Sequence, residues 1–558
     1  QDETGVNADY ILPDNHQLET WGDVELGDGF YAIQQPTIRP MYDTRSFQLT
    51  LMTWAYLANR GPKRLLASET YHDYLRGYWR DEVHSKVGGG SFDNFWKDAL
   101  QKGHVGNGET TNSARTANTA SRTGIKAPAK NSGYELVLYP TVAIGDGTHA
   151  NNAWLQELPD PVTKICWDNY ASLSVATAKK LNVSHSSLIE ISLGSKKIQL
   201  PVHVQPGLHD DVVAIAVGYG RTHAGKVGNE VGVNAYPLMT WSDKGWIASG
   251  QKVEITSLGR MQPLAVTQAH HSMEGRQIVV EAGLDDFKKN AGANIQRHHT
   301  WNIWSGHQYN GHKWAMAIDL NTCTGCSACV IACQSENNTA VVGKKYVLQG
   351  REMHWLRIDR YYSGDASNPS VVFQPVMCQH CDNAPCETVC PVLATVHSAE
   401  GLNEMIYNRC VGTRYCSNNC PYKVRRFNWF NFTKKIEKPL HLALNPDVTV
   451  RMRGVMEKCT FCVQRIKEVK NKARVEARPL KDGDIKTACQ TACPAEAIVF
   501  GDMNNPDSEV AKRFKNERSY ALLEEWHAAP SVRYQSKIRN NDKVPAKKSA
   551  HETSGEHA

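Results

Sequence analysis

Residues 323 to 333 read C-T-G-C-S-A-C-V-I-A-C, and this stretch decides how the second half of the chain must fold. Its four cysteines have the C-x2-C-x2-C-x3-C spacing of a 4Fe-4S ligand run. Three thiolates on one tight loop can hold three corners of an Fe4S4 cube, while the fourth cysteine, carried away along a helix, reaches a different cube. A run of this kind therefore predicts a partner run elsewhere in the chain.

Three more runs follow, and fifteen of the sixteen cysteines lie between Cys323 and Cys493. The later runs are Cys378, Cys381, Cys386 and Cys390; then Cys410, Cys416 and Cys420; then Cys459, Cys462, Cys489 and Cys493. Proline follows the last cysteine of each of these three runs. In the third run, Thr413 stands where the spacing predicts a cysteine.

The four runs resemble those of four-cluster ferredoxin subunits, in which the first run pairs with the fourth and the second with the third. That resemblance implies one 4Fe-4S cluster on Cys323, Cys326, Cys329 and Cys493, a second on Cys333, Cys459, Cys462 and Cys489, and a third on Cys378, Cys381, Cys386 and Cys420. The fourth site receives Cys390, Cys410 and Cys416, with Thr413 in place of a ligand. Because iron-sulfur clusters select soft thiolate, threonine is a poor ligand, and we predict a 3Fe-4S cluster at this site.

A three-iron cluster would help to determine which electron donors can reduce this chain. Reduction potentials of iron-sulfur clusters range from about −700 to +450 mV, and cluster type helps to set the value. We expect the reduction potential of a three-iron cluster to lie toward the upper end of this range. Such a cluster can accept electrons from a donor that is no more reducing than a quinol. In the competing interpretation, Thr413 marks a site that has lost its cluster.

Other uses of these cysteines fit the pattern less well. A disulfide framework would close strained small rings at each C-x2-C pair and would leave one thiol over. Zinc ribbons need only four ligands per metal and not a repeated three-plus-one run beside Cys-Pro. None of the fifteen cysteines lies in C-x-x-C-H, so the sequence predicts no covalently attached haem.

Length and composition limit the remaining possibilities. A chain of 558 residues exceeds a single core and predicts about three or four domains. Its hydrophobic content is 41%, and no apolar stretch approaches the roughly 18 to 20 residues of a membrane span, so we expect no integral membrane segment. The net charge of +6 does not indicate a nucleic-acid binder. No export signal is recognisable from Gln1 onward, so we expect either that a signal was removed or that the sequence begins inside a longer protein, and the opening residues favour the second.

Patterning along the chain predicts its coarse organisation. Apolar periodicity predicts a helix over residues 44–60, and small polar residues predict an exposed loop or linker over residues 104–133. Short apolar alternations predict the strands of a compact β barrel over residues 135–139, 188–193, 198–204 and 212–217. Residues 510–526 predict one helix, and residues 541–558 predict a tail that is disordered or ordered only by a partner.

Segments around the cysteine runs resemble the iron-sulfur subunit of bacterial alternative complex III, a complex that oxidises quinol in bacterial membranes. They are I-D-L at residues 318–320, G-R-E-M-H-W-L-R-I-D-R-Y-Y at residues 350–362, and C-P-Y-K-V-R-R-F at residues 420–427. Together with the cysteine pattern and Thr413, the resemblance covers roughly residues 311–535. In the barrel region, A-K-K-L at residues 178–181, with Asn229 and Asn234, is similar to the C-terminal domain of molybdopterin enzymes.

The resemblance implies a fusion of an α/β region and a β barrel, both partly molybdopterin-oxidoreductase-like, with an α+β tandem ferredoxin-like domain. The implied domains are a partial α/β region (residues 1–133), the barrel (134–270), a polar connector (271–310), the four-cluster domain (311–505), and a C-terminal helix with a mostly disordered tail (506–558). No molybdopterin, molybdenum ligand or haem is expected. The alternative is the electron-transfer part of a molybdopterin reductase or dehydrogenase of the polysulfide or DMSO reductase type.

The same resemblance implies a role in a larger complex. The chain would be an electron-transfer subunit with no substrate-converting site, peripheral on the periplasmic face of the bacterial inner membrane. A quinol-binding membrane subunit of the polysulfide-reductase type would supply its electrons, and cytochrome c subunits would receive them.

Several single residues also invite an interpretation. Cys166, the remaining cysteine, is predicted to be a buried structural thiol, since free cysteine is among the most buried residue types. His380 is predicted to be solvent-facing or hydrogen-bonded rather than a cluster-tuning group. Trp355 and Tyr415 are predicted to pack and exclude water. Three basic residues are predicted to neutralise cluster charge through hydrogen bonds rather than to dock an acidic partner: Lys423, Arg425 and Arg426.

Overall fold

The computed structural model describes residues 2–27, 29–106, 133–243, 245–298, 301, 305–434 and 436–540. The chain divides into two compact units, of residues 3–130 and residues 131–558. The loop predicted over residues 104–133 falls mostly outside the described residues, and the tail predicted over residues 541–558 lies wholly outside them.

The first unit combines a small antiparallel sheet with helices. Its strands are β1 (Gly22–Gly27), β2 (Phe30–Gln34) and β3 (His104–Val105), and its helices are α1 (Phe47–Leu57), α2 (Lys63–Ala67), α3 (Tyr71–Tyr78), α4 (His84–Val87) and α5 (Phe92–Lys102). Trp79 is fully buried in the core and donates a hydrogen bond to the Asp23 carboxylate at 2.9 Å. The helix predicted over residues 44–60 is confirmed as α1, which the Ser46 side chain caps.

The second unit begins with a closed six-stranded barrel. The elements of this region are β4 (Tyr134–Tyr139), α6 (Ala153–Glu157), β5 (Ile165–Cys166), β6 (Ala171–Leu173), α7 (Val175–Lys180), β7 (Ser187–Leu193), β8 (Lys196–Val204), β9 (Val212–Ala216), β10 (Thr240–Ser242), β11 (Gly245–Ile247), β12 (Ser249–Met261) and β13 (Ala265–Val266). The barrel closes in the order β12-β4-β9-β6-β8-β7. The predicted β barrel is therefore confirmed.

Alternation along the strands explains why the barrel closes. Successive side chains of a strand point to opposite faces, so every second residue can enter the interior. Six such residues have no exposed surface and fill the interior: Ile189, Ile191, Leu200, Val202, Val213 and Ile215. Between them stand exposed or half-buried polar residues such as Glu190 and Gln199, which keep the outer face wettable.

The region after the barrel carries the cysteine runs. Its strands are β14 (Glu281–Gly283), β15 (Trp314–Asp319), β16 (Arg357–Ser363), β17 (Ser370–Val376), β18 (Thr395–His397), β19 (Asn403–Met405), β20 (Arg426–Phe427), β21 (Met456–Glu457), β22 (Ile498–Asp502), β23 (Ser519–Tyr520), β24 (Val532–Gln535) and β25 (Lys537–Arg539). Its helices are α8 (Leu284–Lys289), α9 (Ala328–Glu336), α10 (Lys344–Val347), α11 (Pro385–Thr388), α12 (Tyr415–Asn419), α13 (Val463–Val475), α14 (Ala488–Thr491) and α15 (Glu509–Lys515).

A four-stranded sheet in the order β22-β15-β24-β23 organises this region. All six residues of β15 are buried, because strands pair with both its edges and hydrophobic clusters cover both its faces. The predicted single helix over residues 510–526 is wrong: α15 ends at Lys515, and β23 follows. Tyr520 is 1% exposed and packs against Tyr534 of β24, so burial in the sheet outweighs the local helical pattern.

The predicted polar connector also has a structural role. Strand β14, within residues 271–310, pairs in parallel with β25 near the end of the described chain. Among the described residues, no helix is long and apolar enough to cross a membrane.

The barrel interior provides a test of the fold. Leu200→Ala should lower the local free energy of unfolding of the barrel by about 2 to 5 kcal/mol, because it leaves a cavity in a closed core. Lys196→Ala, on the exposed start of the same strand, should change it by about 0.5 kcal/mol or less. Hydrogen exchange of the amides of β7 and β8 measures both values, and equal effects would contradict the barrel core.

Candidate iron-sulfur sites

The first run and the last cysteine meet in one cavity. Cys323, Cys326, Cys329 and Cys493 line it, and apolar residues such as Ile318 and Ile498 form the rest of the wall. Strand β15 is an inner strand of the central sheet and ends at Asp319, so the first run begins just beyond the end of this strand. The ligand set predicted for the first 4Fe-4S cluster is thus brought together around one space.

Gly325 shows why the first loop needs this sequence. Its φ of 73° lies in the left-handed region, and a Cβ atom there would lie 2.6 Å from the Phe373 ring. Ser327 follows with φ 65° and leads into α9. The loop therefore turns sharply, and α9 carries Cys333 away from Cys329.

The second predicted set lies around the C-terminal half of α9 and consists of Cys333, Cys459, Cys462 and Cys489. Complete burial, together with the charges of Cys459, Cys462 and Cys489, raises the pKa of Cys333 well above its usual range. The Asn337 side-chain amide lies 3.6 Å from the Cys333 sulfur and 3.9 Å from the Cys462 sulfur. The backbone N–H of residue 488 donates to the Cys462 sulfur at 3.5 Å.

The third predicted set shares a second cavity. Cys378, Cys381, Cys386 and Cys420 line it, together with Arg425. Burial raises the pKa of Cys381, and the charges of its neighbouring cysteines raise it further. Here again the predicted ligands stand around one space.

The fourth predicted set is more open and contacts a guanidinium group. Burial opposes ionisation of Cys390, but backbone N–H groups of residues 392, 394 and 395 and the charge of Arg425 give it a lowered pKa. The charge of Arg425 also acts on Cys416. Cys410 is half-buried and lies six residues before Cys416, on the loop that contains Thr413.

The Thr413 loop repeats the backbone of the intact first loop. Gly412 has φ 75°, against 73° at Gly325, and Arg414 has φ 66°, against 65° at Ser327. A Cβ atom at Gly412 would lie 2.6 Å from the carbonyl oxygen of residue 454, so this turn also requires glycine. Thr413 therefore occupies the position that corresponds to Cys326, and its side chain is exposed.

The donors in these cavities suit iron-sulfur clusters. Several buried thiols facing one another would stay neutral, because burial and mutual repulsion raise the pKa of residues such as Cys329. A bound cluster supplies the positive iron that keeps such thiols ionised. Backbone N–H groups already point at several sulfurs: residue 497 donates to Cys493 at 3.3 Å and residue 394 donates to Cys390 at 3.2 Å, besides the bond to Cys462. Within the described ranges, no group of three or more His, Cys, Asp or Glu residues could hold a single metal ion.

His380 is buried, and its ring makes defined contacts. It is fully buried, its Nδ1 accepts a hydrogen bond from the backbone N–H of Asn403 at 3.0 Å, and its ring stacks on Phe461 with 3.9 Å between centroids. The prediction of a hydrogen-bonded histidine is confirmed, and that of a solvent-facing one is wrong. Because His380 lies in the second run and Phe461 in the fourth, the stacked rings join the loops of two predicted clusters.

The three basic residues after Cys420 have different environments. Arg425 is 5% exposed and faces cysteines, as predicted. Arg426 instead pairs with Glu352 at 2.9 Å. Lys423 is exposed and donates to the backbone carbonyl oxygen of residue 418 at 2.8 Å. The prediction for Arg426 and Lys423 is therefore wrong, since a carboxylate and a backbone carbonyl compete for them.

The remaining single-residue predictions have mixed outcomes. Trp355 is 2% exposed and packs in the core, as predicted. Tyr415 is 62% exposed, so the prediction that it excludes water is wrong. Cys166 is a buried thiol, 2% exposed, as predicted. Lys458, which sequence reasoning missed, is fully buried beside Cys459 and donates to its carbonyl oxygen at 2.9 Å.

Comparison with known proteins agrees with these sites. The sequence matches the 4Fe-4S dicluster domain twice, over residues 314–394 and residues 369–439. It is 43% identical over 233 residues to the iron-sulfur cluster-binding subunit of menaquinone reductase from Nitratidesulfovibrio vulgaris, a match that covers 40% of this chain and 89% of that protein. The chain belongs to the family of iron-sulfur cluster-binding subunits with 4Fe-4S dicluster domains.

Two further relatives of this iron-sulfur subunit are named as subunits of oxidoreductases. An Hdr-like menaquinol oxidoreductase iron-sulfur subunit from Archaeoglobus fulgidus is 32% identical, over 40% of this chain and 82% of its own length. A sulfite dehydrogenase subunit from Allochromatium vinosum is also 32% identical, over 39% and 81%. Acetylene hydratase from Pelobacter acetylenicus aligns at 14% identity with a TM-score of 0.33, over 46% of this chain and 39% of that one, which carries no argument about the fold.

The first cavity gives a test of cluster binding in this iron-sulfur subunit. Cys493→Ser should convert this cluster to a three-iron form and remove about one iron atom per chain, because the cube on Cys323, Cys326 and Cys329 loses its fourth thiolate. Cys166→Ser should retain all the iron, since Cys166 only packs in the core. Iron analysis of both purified variants decides the point, and equal loss from both would contradict the cavity assignment.

Proposed function

We propose that this chain is the electron-transfer subunit of a membrane-bound, quinol-oxidising respiratory complex of the alternative complex III type. Two relatives, named for menaquinone reductase and menaquinol oxidoreductase, support a quinone partner. Three 4Fe-4S clusters and one 3Fe-4S cluster are proposed, on the four cysteine sets that the sequence predicts. When bound, these clusters supply one-electron transfer, and the protein supplies their ligands and surroundings.

The Thr413 loop carries this proposal. Its backbone retains the geometry of the intact ligand loop at Gly412 and Arg414, while a residue that binds iron poorly replaces one thiolate. Two aromatic rings hold the loop from outside, since the Arg414 guanidinium lies 5.2 Å from the Phe427 centroid and 4.6 Å from the Trp429 centroid. A retained, braced loop favours a three-iron site over one that has lost its cluster.

The surface around this loop supports electron entry here. Four large apolar side chains are 62% to 69% exposed. Val411 and Tyr415 lie on the loop, Leu393 accepts a hydrogen bond at its carbonyl from Arg409, and Met452 lies two residues before Gly454, whose carbonyl approaches Gly412. We call these four residues the apolar rim. Exposed apolar groups gathered at one place are typical of a surface that another protein covers. An apolar membrane subunit that binds quinol fits this rim, and the three-iron site is then the proposed first acceptor.

The rest of the proposed assembly follows from the same function. Residues 1–133 and 134–270 are proposed as the molybdopterin-oxidoreductase-like parts, and residues 311–505 as the four-cluster domain. The complex is proposed to lie on the periplasmic face of the inner membrane, with this chain peripheral. Cytochrome c subunits are the proposed acceptors, and this chain itself is proposed to lack molybdopterin and haem.

A second function is favoured by other relatives. A subunit of sulfite dehydrogenase from Allochromatium vinosum and a subunit of tetrathionate reductase from Salmonella typhimurium are 32% and 30% identical to this chain where they align. The alternative is therefore the electron-transfer part of a molybdopterin reductase or dehydrogenase. Metal analysis of the purified complex separates the two: molybdenum in stoichiometric amount supports the alternative, and iron without molybdenum supports quinol oxidation.

Thr413 can be converted into a cysteine. Thr413→Cys should replace the three-iron EPR signal with a four-iron signal, because the loop already places residue 413 where Cys326 lies in the first loop. Thr413→Ser should leave the three-iron signal intact, since serine is an equally poor ligand. Low-temperature EPR measures both, and a wild-type spectrum with only four-iron signals would contradict the proposed site.

The apolar rim can be tested separately from the clusters. A double substitution, Val411→Glu with Met452→Glu, should slow reduction by added quinol about tenfold or more, about 1.4 kcal/mol, because charges would be buried against an apolar partner. Val475→Glu is the matched control, because Val475 is 86% exposed on α13 and lies outside the rim. Stopped-flow absorbance of the assembled complex gives the rates, and equal slowing by the control would count against the rim.

A further inference from the structure

Arg425 is a buried cation without a carboxylate partner among the described residues. It is 5% exposed, and its guanidinium donates to Thr395 Oγ1 at 3.0 Å and to Asn403 Oδ1 at 3.2 Å, both neutral acceptors. Glu387, which lies behind Asn403, is bonded instead to the Asn403 amide at 2.5 Å and to His397 at 2.7 Å. The charge of Arg425 therefore needs another source of compensation, because an uncompensated buried ion is costly.

Two other arginines of the same region show the usual solution. Arg426 pairs with Glu352 at 2.9 Å, and the fully buried Arg451 side chain pairs with Glu457 at 2.9 Å. The strongest charge effects on Arg425 among the described residues come from cysteines. Although burial alone would lower it, the charges of Cys386, Cys416 and Cys378 raise the pKa of Arg425.

These cysteines belong to two different predicted clusters. Arg425 lines the cavity of Cys378, Cys381, Cys386 and Cys420. On its other side it donates to Thr395, which follows the residue whose N–H donates to the Cys390 sulfur at 3.2 Å, and its charge acts on Cys416 and Cys390. One guanidinium thus stands between the ligands of the third four-iron site and those of the Thr413 site.

We propose that Arg425 is a positioning residue that raises the reduction potentials of both of these neighbouring clusters. The inference rests on the proposed cluster assignment and adds which residue couples the first acceptor to the next centre. Each centre gains one electron on reduction and so gains one negative charge. A fixed cation beside both ligand sets stabilises the reduced form of each, which raises both potentials.

A shared cation has a functional consequence. If each cluster had its own counter-charge, the two reduction potentials could differ widely. Electrons would then remain on the cluster with the higher potential. Because one guanidinium serves both, loss of its charge lowers the two potentials together. The energy step between the first acceptor and the second centre then changes less than either potential does.

The experiment is an EPR-monitored redox titration of the complex with Arg425→Gln. For two of the centres, the ratio of reduced to oxidised cluster at a fixed potential should fall about tenfold, a downward shift of about 59 mV for a one-electron couple. The other two centres should move much less. Lys423→Gln is the matched control, since it removes a positive charge two residues away on the surface, and it should move none of them.

Other outcomes also decide the proposal. Unmoved potentials in an Arg425→Gln protein with full iron content, or equal shifts in all centres, or a shift in one centre only, would overturn it. If Arg425→Gln loses iron, Arg425→Lys is the deciding variant. It keeps the charge beside the four-cysteine cavity but lacks the planar fork that reaches Thr395 beside the Cys390 loop, so only the three-iron potential should fall. An unchanged three-iron potential in that variant would overturn the proposal.

The proposed function fails in a distinguishable way. A wild-type spectrum with only four-iron signals would remove the three-iron assignment at Thr413. The same titration would still test Arg425, because it counts how many centres move when the guanidinium is removed. Two moving centres would support the shared cation whatever the cluster type at the Thr413 site.

Discussion

Each cysteine run must send its last thiol away from its own loop. Three cysteines on one turn can surround only part of a cube, and the helix that follows carries the next cysteine out of reach. Helix α9 does this for Cys333, and helix α14 packs against α9 and carries Cys489 toward the same place. Distant parts of the chain are therefore tied together by the ligand sets, and the central sheet around β15 has to bring residues 323 and 493 to one edge.

The same constraint explains the polar contacts around the sulfurs. Thiols buried in apolar cavities need positive charge and hydrogen-bond donors, and these come from backbone N–H groups, Asn337 and Arg425. Where a carboxylate is available, as for Arg426, the basic residue takes it and plays no direct part at the clusters. Arg425 differs because Asn403 and Thr395 offer it only neutral acceptors, so its charge is left for the cysteines.

Local patterns predicted some elements well and others badly, and burial explains the difference. The barrel strands and α1 follow strong periodicity, which tertiary packing reinforces, and both were predicted closely. The helix predicted over residues 510–526 did not form beyond Lys515, because Tyr520 gains more from the central sheet than from another helical turn. Tyr415 was expected to pack, yet it begins α12 directly after the turn at Gly412 and Arg414, where its own side chain is exposed while Cys416 is buried.

The sequence by itself determined the cysteine spacing, the glycine turns and the substitution at Thr413. These are properties of short segments, since a few residues define a ligand loop and a positive φ. Only the tertiary structure decided which cysteines share a cavity, that His380 stacks on Phe461, and that Arg425 rather than Arg426 faces the sulfurs. Those relations join residues as far as 170 positions apart, and their outcome depends on which partner each buried charge meets once the chain has packed.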